Sequence, residues 1–347
     1  MSVLSVVADV INDRRMLKIL RLVDKETSRV ASLNVREVFV DSPNIHRMAK
    51  RFPNVVRIKL TDCNDERIGD VCLFKHLRML DLYHTRVSDL SPLHGCINLT
   101  TLNISYTHAT DLVPLCGCTN LTTLDISYTG VSDLSPLSGC TNLTTLDISY
   151  TRVTDLAPLR GCTNLITLKL IRTAVSDVTA LGGCTNLSKI YIVDTLVSDL
   201  SALSRCTNLF KISLANTGVM DVTALSGCTN ISEMYLSYTL VTDLTPLIGC
   251  INLAILDLTH TRVSDLSPLS GCTNLSVMYL ASTRVSDLTP LSGCTKFATL
   301  DLSCTGVSDL SPLRGCTNIH TINICRTGVS DLSPLRGCTK LKTVTDG

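Results

Sequence analysis

The chain has 347 residues, 45% of them hydrophobic, and its 31 lysine and arginine residues are balanced by 30 aspartate and glutamate residues. This near-zero net charge argues against a nucleic-acid-binding protein, because contact with the phosphate backbone requires a surplus of positive charge. The hydrophobic content excludes a disordered chain, and the sequence contains no apolar run of about 18 residues that could insert into a membrane.

Residues 1–54 differ in composition from the rest of the chain. The spacing of their apolar residues predicts one helix over 3–11 and a second over 17–23, and residues 34–40 read as a strand. Such a segment would be a helical N-terminal cap that covers the apolar edge of the repeat behind it. The short apolar run at the N-terminus is interrupted by Asp9 and is a poor secretory signal.

From residue 55 to 347 the chain consists of thirteen full repeats of 22 residues and a partial fourteenth. The repeat reads LxxLDLSxTxVSDLSPLSGCTN, and its positions are numbered here so that residues 99–120 are positions 1–22. Apolar residues at positions 4 and 6, with a polar residue between them, predict a half-buried strand. Proline at position 16 predicts a short 3₁₀ return rather than a long helix.

This repeat resembles the leucine-rich repeat family, and its length and Asp-x-x-Pro-Leu return resemble the internalin-like class of that family. The ending Gly139-Cys140-Thr141-Asn142 resembles repeats of trypanosome leucine-rich repeat proteins, some of which are regarded as regulators of adenylate cyclase. The resemblance implies an α/β solenoid, a curved rod with a parallel β-sheet on its concave face, short 3₁₀ turns on its convex side and a helical N-terminal cap. The matching residues are scaffold residues, so they say little about function.

A second interpretation of the N-terminal segment comes from the stretch Ile-Leu-Arg-Leu-Val-Asp-Lys at 19–25, followed by Val30 and Ala31. This stretch resembles the core of an F-box, a module that often precedes a leucine-rich solenoid, although the usual opening Leu-Pro is absent. The resemblance implies that Leu20, Leu22 and Val23 contact an adaptor of a cullin-type ubiquitin ligase. Both interpretations of the segment, as a cap and as an F-box, remain open.

Twelve of the 17 cysteines stand at position 20, from Cys96 to Cys338. A packing requirement recurs in every repeat whereas a metal site does not, so we interpret these cysteines as small buried hydrophobes with unpaired thiols. Abundant free thiols imply a reducing compartment. We therefore expect an intracellular protein, either cytoplasmic or nuclear.

Two further columns of identical residues resemble functional sites but have a structural explanation. Aspartates occupy position 13 from Asp89 to Asp331, and we expect them to cap the backbone N–H groups of the returns. Threonines occupy position 9 from Thr85 to Thr327, and we expect their hydroxyls to bond the backbone of the next repeat.

Motifs of known chemistry are absent from the sequence. It contains no CxxC paired with histidine at zinc spacing, no HExxH, no GxSxG, no Walker loop and no GxGxxG. We therefore predict no enzymatic activity, no cofactor and no metal.

Differences between repeats point to a binding face, since positions 2, 3, 5, 7 and 8 are expected to point outward. These positions are nearly identical in 99–142 and diverge in 165–282. The predicted partner-binding residues there are Lys169, Arg172, Lys189, Tyr191, Asp194, Phe210, Lys211, Glu233, Tyr235, Tyr238, Asp257, His260 and Tyr279. Aromatic and arginine side chains are typical of interface anchors, although neutral drift among duplicated repeats would produce the same divergence.

The sequence thus predicts a non-catalytic scaffold that binds a protein ligand on its concave face. The alternatives are an F-box substrate receptor, which binds a ubiquitin-ligase adaptor, and a regulator of adenylate cyclase. No nucleic acid and no membrane insertion are expected.

Overall fold

The computed structural model describes residues 36–40, 45–61, 63–69 and 71–345. The two predicted N-terminal helices and the predicted adaptor-binding residues Leu20, Leu22 and Val23 lie outside the described residues. The chain divides into two compact units, Met1–Leu165 and Ile166–Gly347.

The first unit is built on parallel strands, each paired with the next in chain order. Its strands are β1 (Glu37–Val40), β2 (Arg57–Leu60), β3 (Met79–Asp81), β4 (Thr101–Asn103), β5 (Thr123–Asp125) and β6 (Thr145–Asp147). Its helices are α1 (Ile45–Arg51) and α2 (Asp65–Ile68), and its 3₁₀ turns are Val71–Leu73, Ser91–Leu93, Val113–Leu115, Ser135–Leu137 and Ala157–Gly161. β1 confirms residues 37–40 of the strand predicted over 34–40, and residues 34–35 lie outside the described residues.

The second unit continues the same alternation of strand and 3₁₀ turn, with parallel pairing throughout. Its strands are β7 (Thr167–Lys169), β8 (Lys189–Tyr191), β9 (Lys211–Ser213), β10 (Glu233–Tyr235), β11 (Ile255–Asp257), β12 (Val277–Tyr279), β13 (Thr299–Asp301), β14 (Thr321–Asn323) and β15 (Thr343–Thr345). Its 3₁₀ turns are Thr179–Gly183, Ser201–Arg205, Thr223–Leu225, Thr245–Leu247, Ser267–Leu269, Thr289–Leu291, Ser311–Leu313 and Ser333–Gly337.

The core of each unit is made of the apolar columns of the repeat. Leu124 at position 4, Ile126 at position 6, Val131 at position 11 and Leu137 at position 17 are each 0% exposed. Strand side chains alternate between the two faces of a sheet, so positions 3 and 5 point away from this core. Replacing one such leucine with alanine typically costs about 2–5 kcal/mol.

The aspartates at position 13 determine where each 3₁₀ turn begins. Ser135 donates its backbone N–H to Asp133 Oδ1 at 2.7 Å and its hydroxyl to Oδ2 at 2.6 Å. The N–H bond from two residues later recurs at all twelve aspartates from Asp89 to Asp331. The predicted capping role is confirmed.

The threonine hydroxyls at position 9 bond within their own repeat. Thr107 Oγ1 donates to the carbonyl of Ile104 at 2.7 Å, and ten other threonines of the column make the same bond. The prediction that these hydroxyls bond the next repeat is wrong, because the turn after the strand brings position 9 back over the carbonyl three residues earlier. Thr195 is the exception, since its buried hydroxyl has no hydrogen-bond partner.

The cysteines at position 20 form a ladder along each unit. Cys140 Sγ lies 3.6 Å from the carbonyl of Cys118 in the first unit, and Cys228 Sγ lies 3.4 Å from that of Cys206 in the second. Both thiols are buried and free, as predicted, and burial raises the pKa of Cys140 to about 11.

Cys96 departs from this prediction, because it forms a disulfide with Cys72 across a Cα–Cα distance of 5.4 Å. In the repeat before Cys96, Phe74 stands at position 20 in place of cysteine. Cys96 therefore has no ladder neighbour on that side, and Cys72 on the adjacent 3₁₀ turn lies within disulfide range.

No helix in the described part of the chain is both long enough and apolar enough to cross a membrane.

Candidate functional site

All thirteen predicted partner-binding residues belong to the second unit, and none of them is buried. Ile190 and Ile212 at position 4 of β8 and β9 are 0% exposed, so their neighbours at positions 3 and 5 point to the opposite face. We call the surface formed by positions 2, 3, 5 and 8 of repeats 165–282 the sheet face. Of the thirteen predicted residues, the exposed ones are Arg172, Lys189, Phe210, Tyr238 and His260, and the others are half-buried.

Five of the predicted residues form one group, which we call the lysine–tyrosine cluster: Lys189, Tyr191, Lys211, Glu233 and Tyr235. Lys211 Nζ lies 2.7 Å from Glu233 Oε2, and the hydroxyl of Tyr235 donates to the same oxygen at 3.0 Å. The ammonium group also lies 5.5 Å from the ring centre of Tyr191 and 5.1 Å from that of Tyr235. A cation at this distance from a ring is attracted to it.

The contacts in this cluster favour the charged forms of both ionised groups. The hydrogen bond to Glu233 raises the pKa of Lys211, and the same bond lowers the pKa of Glu233. Burial raises the pKa of Tyr235, and its bond to Glu233 adds to that effect. The cluster therefore presents a fixed ion pair between two neutral aromatic rings.

Position 8 has left-handed backbone in twelve successive repeats, from His84 with φ 57° to Arg326 with φ 56°. Non-glycine residues adopt this region at a cost of order 1 kcal/mol. Contacts between neighbouring repeats offset it: Arg172 Nε donates to Asp194 at 2.9 Å, and Asn216 donates to the other oxygen of Asp194 at 2.5 Å. These bonds lower the pKa of Asp194.

Two more of the predicted residues are joined at position 8, where Tyr238 and His260 stack with ring centres 4.6 Å apart. Asp257 instead accepts the backbone N–H of Thr259 at 2.9 Å and lies beside Tyr279 in strand register. Asp257 thus supports the turn of its own repeat, and it lies opposite Tyr235 of the lysine–tyrosine cluster in the strand register without a side-chain bond to it.

The first unit carries a different arrangement at position 8. Tyr106 and Tyr128 stack at 4.0 Å between ring centres, and Tyr128 and Tyr150 stack at 3.9 Å. The nearly identical repeats of the first unit therefore form a stacked tyrosine ladder at position 8, in which each ring packs on the next.

Position 7 was expected to point outward, and the first unit contradicts this. Ser105 is 3% exposed and its hydroxyl donates to Asn103 at 2.6 Å. A serine at position 7 can be buried without an unsatisfied polar group, because the polar side chain at position 5 accepts both its N–H and its hydroxyl.

Sequence reasoning missed four exposed apolar residues, one on the sheet face and three that border it. Ile166 is 46% exposed at position 2, and Leu196, Met220 and Leu240 are 66%, 60% and 39% exposed beyond the strand ends. The signal was present in the sequence, because position 10 is arginine, histidine or glycine in repeats 77–164 and becomes leucine at 196 and 240. Exposed apolar side chains close to one another are a feature of interaction surfaces.

The described residues contain no group of three histidine, cysteine, aspartate or glutamate side chains that could hold a metal ion. The side chains of the sheet face offer hydrogen bonding, ion pairing and packing.

The sequence matches the family model described as "Leucine Rich repeats (2 copies)" at residues 75–117 and 119–161. No curated protein sequence matches the chain. Among solved structures, the internalin InlF of Listeria monocytogenes matches with a TM-score of 0.81 and 22% identity over 94% of this chain and 92% of that one.

Two further internalin structures are similar. Internalin C2 of Listeria monocytogenes is 30% identical, with a TM-score of 0.53 over 62% of this chain and 92% of that one. The functional domain of Listeria monocytogenes InlJ, which includes a cysteine ladder, has a TM-score of 0.71 and 17% identity over 90% of this chain and 68% of that one. With its parallel strands, 3₁₀ returns and 22-residue period, the chain belongs to the leucine-rich repeat proteins and has an internalin-like repeat solenoid.

Proposed function

We propose that this protein is a non-catalytic scaffold that binds a protein ligand through the sheet face of its second unit. Leucine-rich repeat solenoids typically bind proteins on extended surfaces of this kind. The observation that carries the proposal is the lysine–tyrosine cluster, a preorganised ion pair between two tyrosine rings. Phe210 beside it is 42% exposed. In most interfaces a few anchor residues, often aromatic, supply most of the binding energy.

Site-specific photo-cross-linking tests this proposal in cells that express the protein. A benzophenone amino acid at position 210 should capture a discrete protein adduct, identified by mass spectrometry. The matched control is the same amino acid at Thr122, which occupies position 2 of a repeat in the first unit. Equal adducts from both positions, or none from position 210, would contradict the proposed location.

The captured partner then allows the anchors to be measured. Tyr191→Ala and Phe210→Ala should each weaken binding at least about tenfold, the loss typical of an interface anchor. Tyr235→Ala is a less clean variant, because the Tyr235 hydroxyl bonds Glu233 and its loss also alters the ion pair.

The F-box and adenylate cyclase interpretations stay proposals that rest on sequence resemblance, the first on residues 19–25 and the second on the Gly-Cys-Thr-Asn endings. A pull-down of the full chain and of a chain lacking residues 1–32 tests the first. Capture of a cullin-ligase adaptor by the full chain alone would support it, and capture by neither would reject it.

An intracellular location is part of the proposal. It is supported by the fifteen cysteines outside the Cys72–Cys96 disulfide, most of which are buried thiols, since secreted proteins with this many cysteines generally pair them.

A further inference from the structure

The lysine–tyrosine cluster has one cation without a counter-ion. Lys189 on β8 lies directly opposite Lys211 on β9 in the strand register. Adjacent strands are about 4.8 Å apart, and like charges directly opposite each other are unfavourable. Glu233 lies on the far side of Lys211 in the same register.

The single carboxylate of the cluster is already engaged by other groups. Glu233 Oε2 is bonded by both Lys211 Nζ and the Tyr235 hydroxyl. Lys189 affects Glu233 only at longer range, where its charge helps to lower the pKa of that carboxyl. The backbone N–H of Lys189 donates to the carbonyl of Ile166 at 2.9 Å, but within the described part of the chain its ammonium group makes no hydrogen bond or salt bridge, and the residue is exposed.

The surplus of positive charge lies on two neighbouring strands. The outward positions of β8–β10 carry Lys189 and Lys211 and one carboxylate, that of Glu233. At position 8 of the adjoining repeats, Arg172 and Asp194 neutralise each other. In the first unit, both cations of β2 pair with carboxylates of neighbouring strands, and β3–β6 carry aspartates and no lysine.

Exposed apolar side chains lie on either side of this basic centre. Phe210 and Ile166 precede the strands at position 2, and Leu196 follows β8 at position 10. A ligand that covers the basic centre therefore also contacts apolar surface on both sides of it.

We infer that the protein ligand presents an acidic segment to this face, with an aspartate or glutamate that pairs with Lys189 and apolar neighbours that pack on Phe210. This inference rests on the proposed function and specifies the chemistry of the ligand. It follows from charge complementarity, because an incoming carboxylate relieves the repulsion between Lys189 and Lys211, whereas a basic segment increases it.

The test uses a phage-displayed library of random 12-residue peptides, selected on the full chain. We expect enriched peptides that contain aspartate or glutamate next to aromatic or aliphatic residues. By fluorescence anisotropy, these peptides should bind Lys189→Glu about tenfold more weakly than the unmodified chain. Their affinity should also fall as salt increases.

Two controls make the test specific. Lys296→Glu reverses a charge outside the sheet face, where Lys296 bonds Asn274, and should leave the peptide affinity unchanged. A selected peptide whose acidic residue is changed to lysine should recover binding to Lys189→Glu, which a merely misfolded variant could not do.

Peptides that bind Lys189→Glu as tightly as the unmodified chain would overturn the inference. If the same peptides still lose affinity for Phe210→Ala, the proposed function survives that failure. Peptides that bind Lys189→Glu and Phe210→Ala as tightly as the unmodified chain would contradict both the inference and the proposed function.

Discussion

Lys211 on β9 and Glu233 on β10 are partners in the strand register, and their Nζ and Oε2 atoms are 2.7 Å apart. The side chains of both are 24% exposed, so the pair is partly shielded from solvent. The Arg172–Asp194 pair on the same face is more open, with side chains that are 62% and 28% exposed.

The strength of this pair can be measured with a double-mutant cycle. Lys211→Gln, Glu233→Gln and the double variant should give a coupling free energy of about 1 kcal/mol, the upper end for partly exposed pairs. Glu233→Gln should be the more harmful single change, because it leaves Lys189 and Lys211 opposed without a carboxylate. Urea unfolding measures each free energy, and strictly additive losses would show that the pair contributes nothing.

Two threonines in the same column should respond oppositely to loss of the hydroxyl. Thr129 Oγ1 donates to Ile126 at 2.6 Å, so Thr129→Val should lower the free energy of unfolding by about 1 kcal/mol. Thr195 is buried without a partner, so Thr195→Val should be neutral or stabilising. Thermal and urea unfolding of the two variants provides the comparison, and equal losses would mean that Thr195 is satisfied in solution.

Alkylation should separate the cysteines by position. Burial raises the pKa of ladder thiols such as Cys228 to about 11, so at pH 8 they carry little thiolate and are shielded as well. Exposed Cys116 and Cys304 should react first with iodoacetamide in the folded protein. Cys72 and Cys96 should remain unmodified after denaturation until a reductant is added. Peptide mapping by mass spectrometry identifies the sites, and rapid labelling of Cys228 would show that the ladder is open to solvent.

Low pH should weaken the hydrogen bonds that the capping aspartates accept. The hydrogen bonds from Ser135 lower the pKa of Asp133 below its ordinary value of 3.8. A carboxyl whose pKa is lower in the folded state stabilises the fold fully above the unfolded value and loses that contribution as pH falls through the folded value. We therefore expect stability to be constant above about pH 5 and to decline below the unfolded pKa near 3.8.

Asp133→Asn tests the origin of that decline. The variant should be less stable than the unmodified chain at pH 7, and the difference should shrink as the pH falls and Asp133 becomes protonated in the folded state. Unfolding midpoints across this range measure the difference, and a difference that does not change with pH would exclude the charge of Asp133 as the cause.

Much of the solenoid could be predicted because every repeat has apolar and capping residues at the same positions. Leu124, Ile126 and Val131 are buried where the period places them, and Asp133 caps the turn that its spacing predicts. Such contacts are local or recur between adjacent repeats, so the sequence period is enough to specify them.

The candidate site could be predicted only in part. The divergence of strand positions identified Lys211, Glu233 and Tyr235, but a list of variable positions cannot say which side chains bond one another. Leu196 and Met220 were missed because the comparison of repeats covered only the strand positions, and both residues lie beyond the strand.

The sequence by itself determined the 22-residue period, the identity of the core columns and the capping aspartates, since these follow from spacing along the chain. Only the tertiary structure decided the pairing of Cys72 with Cys96, the unsatisfied hydroxyl of Thr195 and the opposition of Lys189 and Lys211. Each of these depends on distances between atoms of different repeats or on the direction of one side chain. A periodic sequence specifies which residues lie in the same column, whereas packing decides which of them meet.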